Sequence, residues 1–316
     1  MLRGISRSGL SILIFILFLF LLAAMSNGSF PPKHKRNGWT LSPDAGQYMR
    51  MADGQAVKLP FAYRWLLPEL VRSLARTKLH PLYGFIVLNI LSMALFYTLF
   101  INVLLELNVP LRFCFMGVLS TFVFWHTYLL KNLFLVDQPA LVFIMLAIYG
   151  LVTRQALIFV LAVIVGVHFK ESVLFIAPAW LVTKDYKTAI LIMLFGFTSY
   201  LIPRLAYDGM SGYLFAHGRA QGYVNITQPS RFIYYGLTTW GGAWVTGIMG
   251  IAMAKRKDLV AVTWCLAAGA FVSLWFAGDF GRMFAIMVPV IGIGSAIFFK
   301  DFWQQQNREF KYEKEF

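Results

Sequence analysis

The sequence predicts an all-α, polytopic membrane protein of about ten transmembrane helices with an amphipathic helical first outer loop. Three observations carry this. Of 316 residues, 59% are hydrophobic and 13% charged, whereas a soluble domain carries about 25% charged residues. Apolar runs of about 18–20 residues, the length that crosses a hydrocarbon core, recur along the chain. The roughly ten-residue segments of alternating polarity that a β-barrel needs are absent. The formal charge of +14 is assigned to lipid phosphate and not to nucleic acid, because Lys and Arg favour cytoplasmic loops and anionic headgroups.

Residues 1–8 are short and basic, and 9–25 are apolar. The favoured reading is an uncleaved first span. Ala23, Ala24 and Ser26 also suit the end of a signal peptide. Both readings put the first outer loop at 26–80. Within it, Leu41 to Pro68 is polar and aromatic, with Asp44, Asp53, Arg50, Lys58 and Arg64 among Tyr48, Phe61, Tyr63 and Trp65. Ser42 or Asp44 would cap a short helix, with Pro43 in its first turn and Gly54 at its end. Residues 61–79 read as a basic amphipathic helix in the headgroup plane. Its apolar face would be Phe61, Trp65, Leu66, Leu70 and Leu74, against Arg64, Arg72, Arg76 and Lys78.

The remaining predicted spans are 82–105, 113–130, 138–153, 155–168, 172–183, 188–203, 234–254, 259–277 and 283–299. Those at 155–168 and 172–183 are short for full crossings. Residues 1–303 form one transmembrane domain, with a second outer loop at 204–233 and a cytoplasmic tail at 304–316. Arg112, Arg154, Lys184, Lys187 and Lys255 to Lys257 fall in turns on one side, a positive-inside pattern with both termini inside. Cys114 and Cys265 lie in apolar runs and read as small hydrophobes.

On this topology the outer face collects charge. It receives the Asp44 loop, Lys131 and Asp137, then His168, Lys170 and Glu171, then Arg204, Asp208, His217, Arg219 and Arg231, and last Asp279 and Arg282. Charges at span ends are costly unless paired, wet or snorkelling, so their convergence predicts the rim of a polar cavity. Simpler roles compete: Asp137 as a helix cap, Lys170 with Glu171 as a local pair, Asp279 with Arg282 as a surface salt bridge. Asn225-Ile226-Thr227 matches a glycosylation sequon. Asp44 weighs most. Asp53 is nine residues on, about 180° round one helix, so Asp44 would act alone.

The order of these features resembles the GT-C superfamily of membrane glycosyltransferases. The likeness rests on SPDAGQYMRMADG after a first span, Pro60 to Pro68 (PFAYRWLLP) leading into an amphipathic helix, LVDQPALVF, a KES turn and a late GDFGRM. It implies transfer of a sugar from a polyprenyl-phosphate-linked donor to a lipid or glycan acceptor at the outer face of a bacterial plasma membrane. Asp44 takes the place of the family's first-loop carboxylate, a general base or, in some members, a residue that helps hold a divalent metal. The family often has a second acid beside it; here the neighbours are Pro43 and Ala45, so no cofactor is expected and a divalent metal is not favoured. One carboxylate suffices to take the acceptor hydroxyl's proton. Arg64, Lys170 and Arg282 would hold the leaving phosphate, and Tyr48, Asp137, Glu171 and Asp279 would complete the substrate site. Two other readings fit the same chain: a transporter or flippase of a lipid-linked or anionic solute, and an outer-face glycan polymerase or ligase using Arg204, Arg219 and Arg231.

Overall fold

The computed structural model describes residues 43–57, 61–124, 134–206, 230, 241–276 and 284–314. The predicted first span, the outer loop that follows residue 206 apart from residue 230, Lys131, Asp279 and Arg282 lie outside the described residues. Within them the chain is all-helical. We number the α-helices α1 (Pro43–Ala52), α2 (Leu66–Ala75), α3 (Pro81–Glu106), α4 (Leu111–Phe124), α5 (Asp137–Val152), α6 (Ala156–Gly166), α7 (Tyr186–Ala206), α8 (Ala243–Ala254), α9 (Lys257–Phe276) and α10 (Val288–Lys314). Three 3₁₀ segments, Phe61–Tyr63, Glu171–Thr183 and Phe284–Met287, join them.

Three stretches, Pro81–Glu106, Tyr186–Leu205 and Phe284–Asn307, are long and apolar enough to cross a membrane. They make the chain a helical membrane protein. The first starts sharply: Pro81 occupies the first turn, and His80 Nδ1 accepts the Leu82 N–H at 3.3 Å, an N-terminal cap that satisfies one orphan donor. Five other apolar helices are shorter. Among these α6, with 11 residues, reaches only about 16 Å, about half of a hydrocarbon core.

The segment predicted as a short span at 172–183 solves its length differently. It is a 13-residue 3₁₀ helix with Pro178 inside it. At about 2.0 Å rise per residue it extends about 26 Å, where an α-helix of that length would give about 20 Å. Such long 3₁₀ runs are uncommon. Here the run is held by packing: Val173, Ile176, Ala177, Ala179 and Trp180 are buried, and α9, α7 and α5 surround it.

The tightest packing joins α8 to α10. A Cβ on Gly250 would stand 1.7 Å from the Gly294 carbonyl oxygen, and one on Gly294 would stand 1.9 Å from that of Gly247. Backbone meets backbone there, as at small-residue interfaces in membranes.

Two expected elements are corrected. The amphipathic helix begins at Leu66 and stops at Ala75, with Lys78 at φ 69° beyond it. Its protein-facing side is Leu67, Pro68 and Val71, while Trp65 and Leu70, placed on the buried stripe by periodicity, are exposed. The stretch from residue 304, expected as a tail, continues α10 as helix to Lys314. The cysteines are free, as expected.

Candidate functional site

The site is built on α1, the helix that carries Asp44. It runs from Pro43 to Ala52 with Asp44 in its first turn, where a carboxylate favours the positive helix end. It ends as the sequence predicts, with Gly54 at φ 79°. Asp53 lies past the helix in an exposed turn, away from any pairing with Asp44. Tyr48 is one helical turn from Asp44 and therefore on the same face. It is fully buried, and its ring meets Phe61 edge-on at 5.6 Å.

Tyr48 fastens the helix. Its hydroxyl accepts a hydrogen bond from Arg64 Nη1 at 3.1 Å. The other edge of the Arg64 guanidinium grips Glu171 with two bonds, Nε to Oε2 at 2.9 Å and Nη2 to Oε1. Burial works against the charged guanidinium, but Glu171 and Tyr48 more than offset it and hold Arg64 well above its ordinary range. A backbone bond from Leu66 N–H to the His168 carbonyl joins the same two segments. The Trp65 ring lies 5.3 Å from that of His168. The first loop is thus docked onto the turn between α6 and the long 3₁₀ segment.

Behind this turn sits a second pair. Lys170 Nζ donates to Asp137 Oδ1 at 2.5 Å, with the two side chains 5% and 2% exposed. A buried pair of this kind is tolerated only when both charges are satisfied. Asp137 opens α5, so its expected role as a helix cap is joined by a longer-range one. His168 Nε2 lies 2.8 Å from Ser199 Oγ, and that hydroxyl donates to the Ile164 carbonyl at 3.1 Å. The hydroxyl proton being used there, the ring nitrogen is the donor toward Ser199. Burial lowers the His168 pKa below its ordinary 6.5.

A third group was predicted in the outer loop and lies elsewhere. Arg204 is in the last turn of α7, and Pro203 beside it can donate no backbone hydrogen bond. Its guanidinium carbon sits 3.6 Å from the Tyr200 ring centroid and 4.3 Å from that of Tyr63. Nη1 donates to the Tyr200 carbonyl at 2.8 Å.

One end of the bundle therefore gathers Tyr48, Tyr63, Arg64, Asp137, His168, Lys170, Glu171, Ser199 and Arg204. Arg154 and Lys184, at φ 59° and 64°, end the elements that start at Asp137 and Glu171 and so lie at the opposite end. A cation is favoured at that end of a helix by its C-terminal carbonyls. Of the predicted site, Tyr48, Arg64 and Glu171 are hydrogen-bonded together and Lys170 with Asp137 lies behind them, with Asp44 on the Tyr48 face. Arg64 and Lys170, expected to hold a phosphate, are each bonded to a carboxylate in this structure. Tyr200 and Arg204, four residues apart on a helix, are the signal that sequence reasoning passed over. Comparison with protein families, characterised proteins and solved structures finds no match to this chain.

Proposed function

We propose that the protein is a membrane glycosyltransferase of GT-C type, moving a sugar from a polyprenyl-phosphate-linked donor to a lipid or glycan acceptor at the outer face of a bacterial plasma membrane. The observation that supports this reading is the docking of α1 through Tyr48, Arg64 and Glu171, which holds Asp44 at the charged end of the bundle. The chain is read as crossing the membrane about ten times with both termini inside. Arg154 and Lys184 then lie on the cytoplasmic side, as the charge rule asks.

The reaction is a single displacement. The acceptor hydroxyl oxygen bonds to the anomeric carbon as the bond from that carbon to the donor phosphate oxygen breaks. The hydroxyl proton passes to the Asp44 carboxylate, and the lipid phosphate or diphosphate leaves with the electron pair. The anomeric configuration inverts. Asp44 acts as general base, and the exposed Trp65 offers a face for a sugar ring. Arg64 and Glu171 position the helix and do not touch the reacting atoms.

The test compares Asp44→Asn with Asp53→Asn in cells whose lipid-linked and envelope glycans are resolved by mass spectrometry. Asp44→Asn abolishes one glycosylated product, and Asp53→Asn leaves it. Retention of full product by Asp44→Asn ends this reading. A second reading, transport of an anionic or lipid-linked solute, draws on the buried Lys170–Asp137 pair, because intramembrane charge pairs mark solute and proton pathways. Solute uptake into proteoliposomes that is lost in Lys170→Met, with Asp44→Asn unaffected, selects it.

A further inference from the structure

Arg204 is placed where a cation has a cost. It is 5% exposed, and its Nε is buried with no hydrogen-bond partner among the described residues. A snorkelling arginine at a span end extends its head into water; this one is covered by the protein, between the rings of Tyr63 and Tyr200. Aromatic faces attract the guanidinium but do not neutralise it. Glu171, a carboxylate within its electrostatic reach, has both oxygens engaged by Arg64. Arg64, Glu171 and Arg204 together carry one positive charge more than negative, and Lys170 with Asp137 carry none. A buried unpaired donor and a buried surplus cation each cost free energy until an acceptor arrives.

The neighbourhood says what kind of acceptor. Phe197, two turns before Arg204 on the same face of α7, is 51% exposed, and Leu194 and Leu205 beside that face are 55% and 71% exposed. Of the three long spans, α7 is the least covered by protein, with 28% of its apolar window buried against 61% and 78%. An anion with a hydrocarbon chain would satisfy both features: its head meets the guanidinium fork and its chain lies along α7. Phosphate suits the fork, since arginine binds its oxygens through paired N–H groups.

We propose that Arg204, walled by Tyr63 and Tyr200, is a binding site for the phosphate of an amphiphilic lipid phosphate. The site stands on Arg204 and its surroundings; it rests on the transferase reading only for the identity of the carrier lipid.

The test uses the full-length protein in neutral detergent, with thermal unfolding followed by tryptophan fluorescence. The probes are decyl phosphate, inorganic phosphate and decanol. Decyl phosphate raises the melting temperature saturably, inorganic phosphate needs at least about tenfold more for the same shift, and decanol does nothing. Arg204→Gln loses the response. Arg204→Lys, which keeps the charge and serves if Arg204→Gln does not fold, binds at least about tenfold more weakly, because a point charge replaces a fork. No saturable response to either phosphate, or equal responses in wild type and both variants, overturns the proposal. Equal potency of inorganic and decyl phosphate overturns the assignment to a lipid. A silent wild type with a responsive Asp208→Asn assigns the guanidinium to that carboxylate and also overturns it. Binding by wild type alongside an active Asp44→Asn keeps this site and removes the transferase reading.

Discussion

Glu171→Gln tests how the first loop is held. The substitution keeps the shape of the side chain and removes its charge, leaving the two Arg64 bonds without a carboxylate. The magnitude follows from burial. Breaking a fully buried pair costs about 3–5 kcal/mol, and an exposed one contributes about 0–1 kcal/mol. Here Arg64 is 12% and Glu171 31% exposed, and the geometry is two-pronged, so about 2 kcal/mol is expected for local undocking of α1. That corresponds to about a 30-fold rise in the undocked population. Arg50, exposed in the last turn of α1, reports it. Trypsin cuts there only when the helix opens, and when reclosing outruns cleavage the rate tracks the open population. The fragment beginning at Met51, measured by mass spectrometry on the detergent-purified protein, should appear about 30 times faster in Glu171→Gln. Arg64→Met should match it, and the double variant should fall well short of the summed effects. A cleavage rate within about threefold of wild type, or strict additivity of the two changes, refutes the docking account.

Three further outcomes follow from other parts of the molecule. Lys170→Met alone should destabilise by about 3–5 kcal/mol in detergent unfolding, by stranding Asp137, while Lys170→Met with Asp137→Leu should recover most of the loss. Gly250→Val should separate α8 from α10, since the Gly294 carbonyl cannot move aside; a fall in melting temperature and loss of a cysteine crosslink engineered between the two helices would report it. His168 has a lowered pKa, so the folded state disfavours its proton. The stability it contributes is present above about pH 6.5 and is lost as pH falls. The fluorescence of Trp65, obtained by subtracting Trp65→Phe from wild type, should therefore change below about pH 6.5, and His168→Phe should abolish that change.

Much of the fold was legible because hydrophobic runs report burial directly. The helical class, the long spans at Pro81, Tyr186 and Phe284, and the turn after α1 with Gly54 follow from period, length and glycine conformation. So does the convergence of Tyr48, Arg64, Lys170 and Glu171, since alternating crossings bring their segments to one side. What was not legible is who pairs with whom. Sequence lists the cations and the acids; only the folded chain shows that Arg64 takes Glu171 across 107 positions and Lys170 takes Asp137 across 33. The 3₁₀ form of Glu171–Thr183 was hidden too, because its composition is that of any apolar helix and its stretch is set by surrounding packing. Trp65 and Leu70 fell on the apolar stripe by periodicity, yet the register that buries Leu67 and Val71 turns them outward.

Pairing divides the charges of this site into two kinds. Arg64, Glu171, Lys170 and Asp137 spend their charge on one another and set where α1 and α5 sit. Among the described residues Arg204 meets ring faces and a carbonyl, and its Nε has no hydrogen-bond partner. Counting cations near a membrane surface therefore overstates the capacity to bind an anion, and subtracting the paired ones locates it. The division has a measurable consequence. Variants of the fastening residues should change protease resistance at Arg50 and activity together, because the loop that carries Asp44 comes loose. Asp44→Asn and Arg204→Lys should leave Arg50 protected while altering turnover and phosphate affinity respectively. If Arg204→Lys exposes Arg50 as strongly as Glu171→Gln does, Arg204 is a fastening residue as well, and its stacking on Tyr63 is what holds the loop.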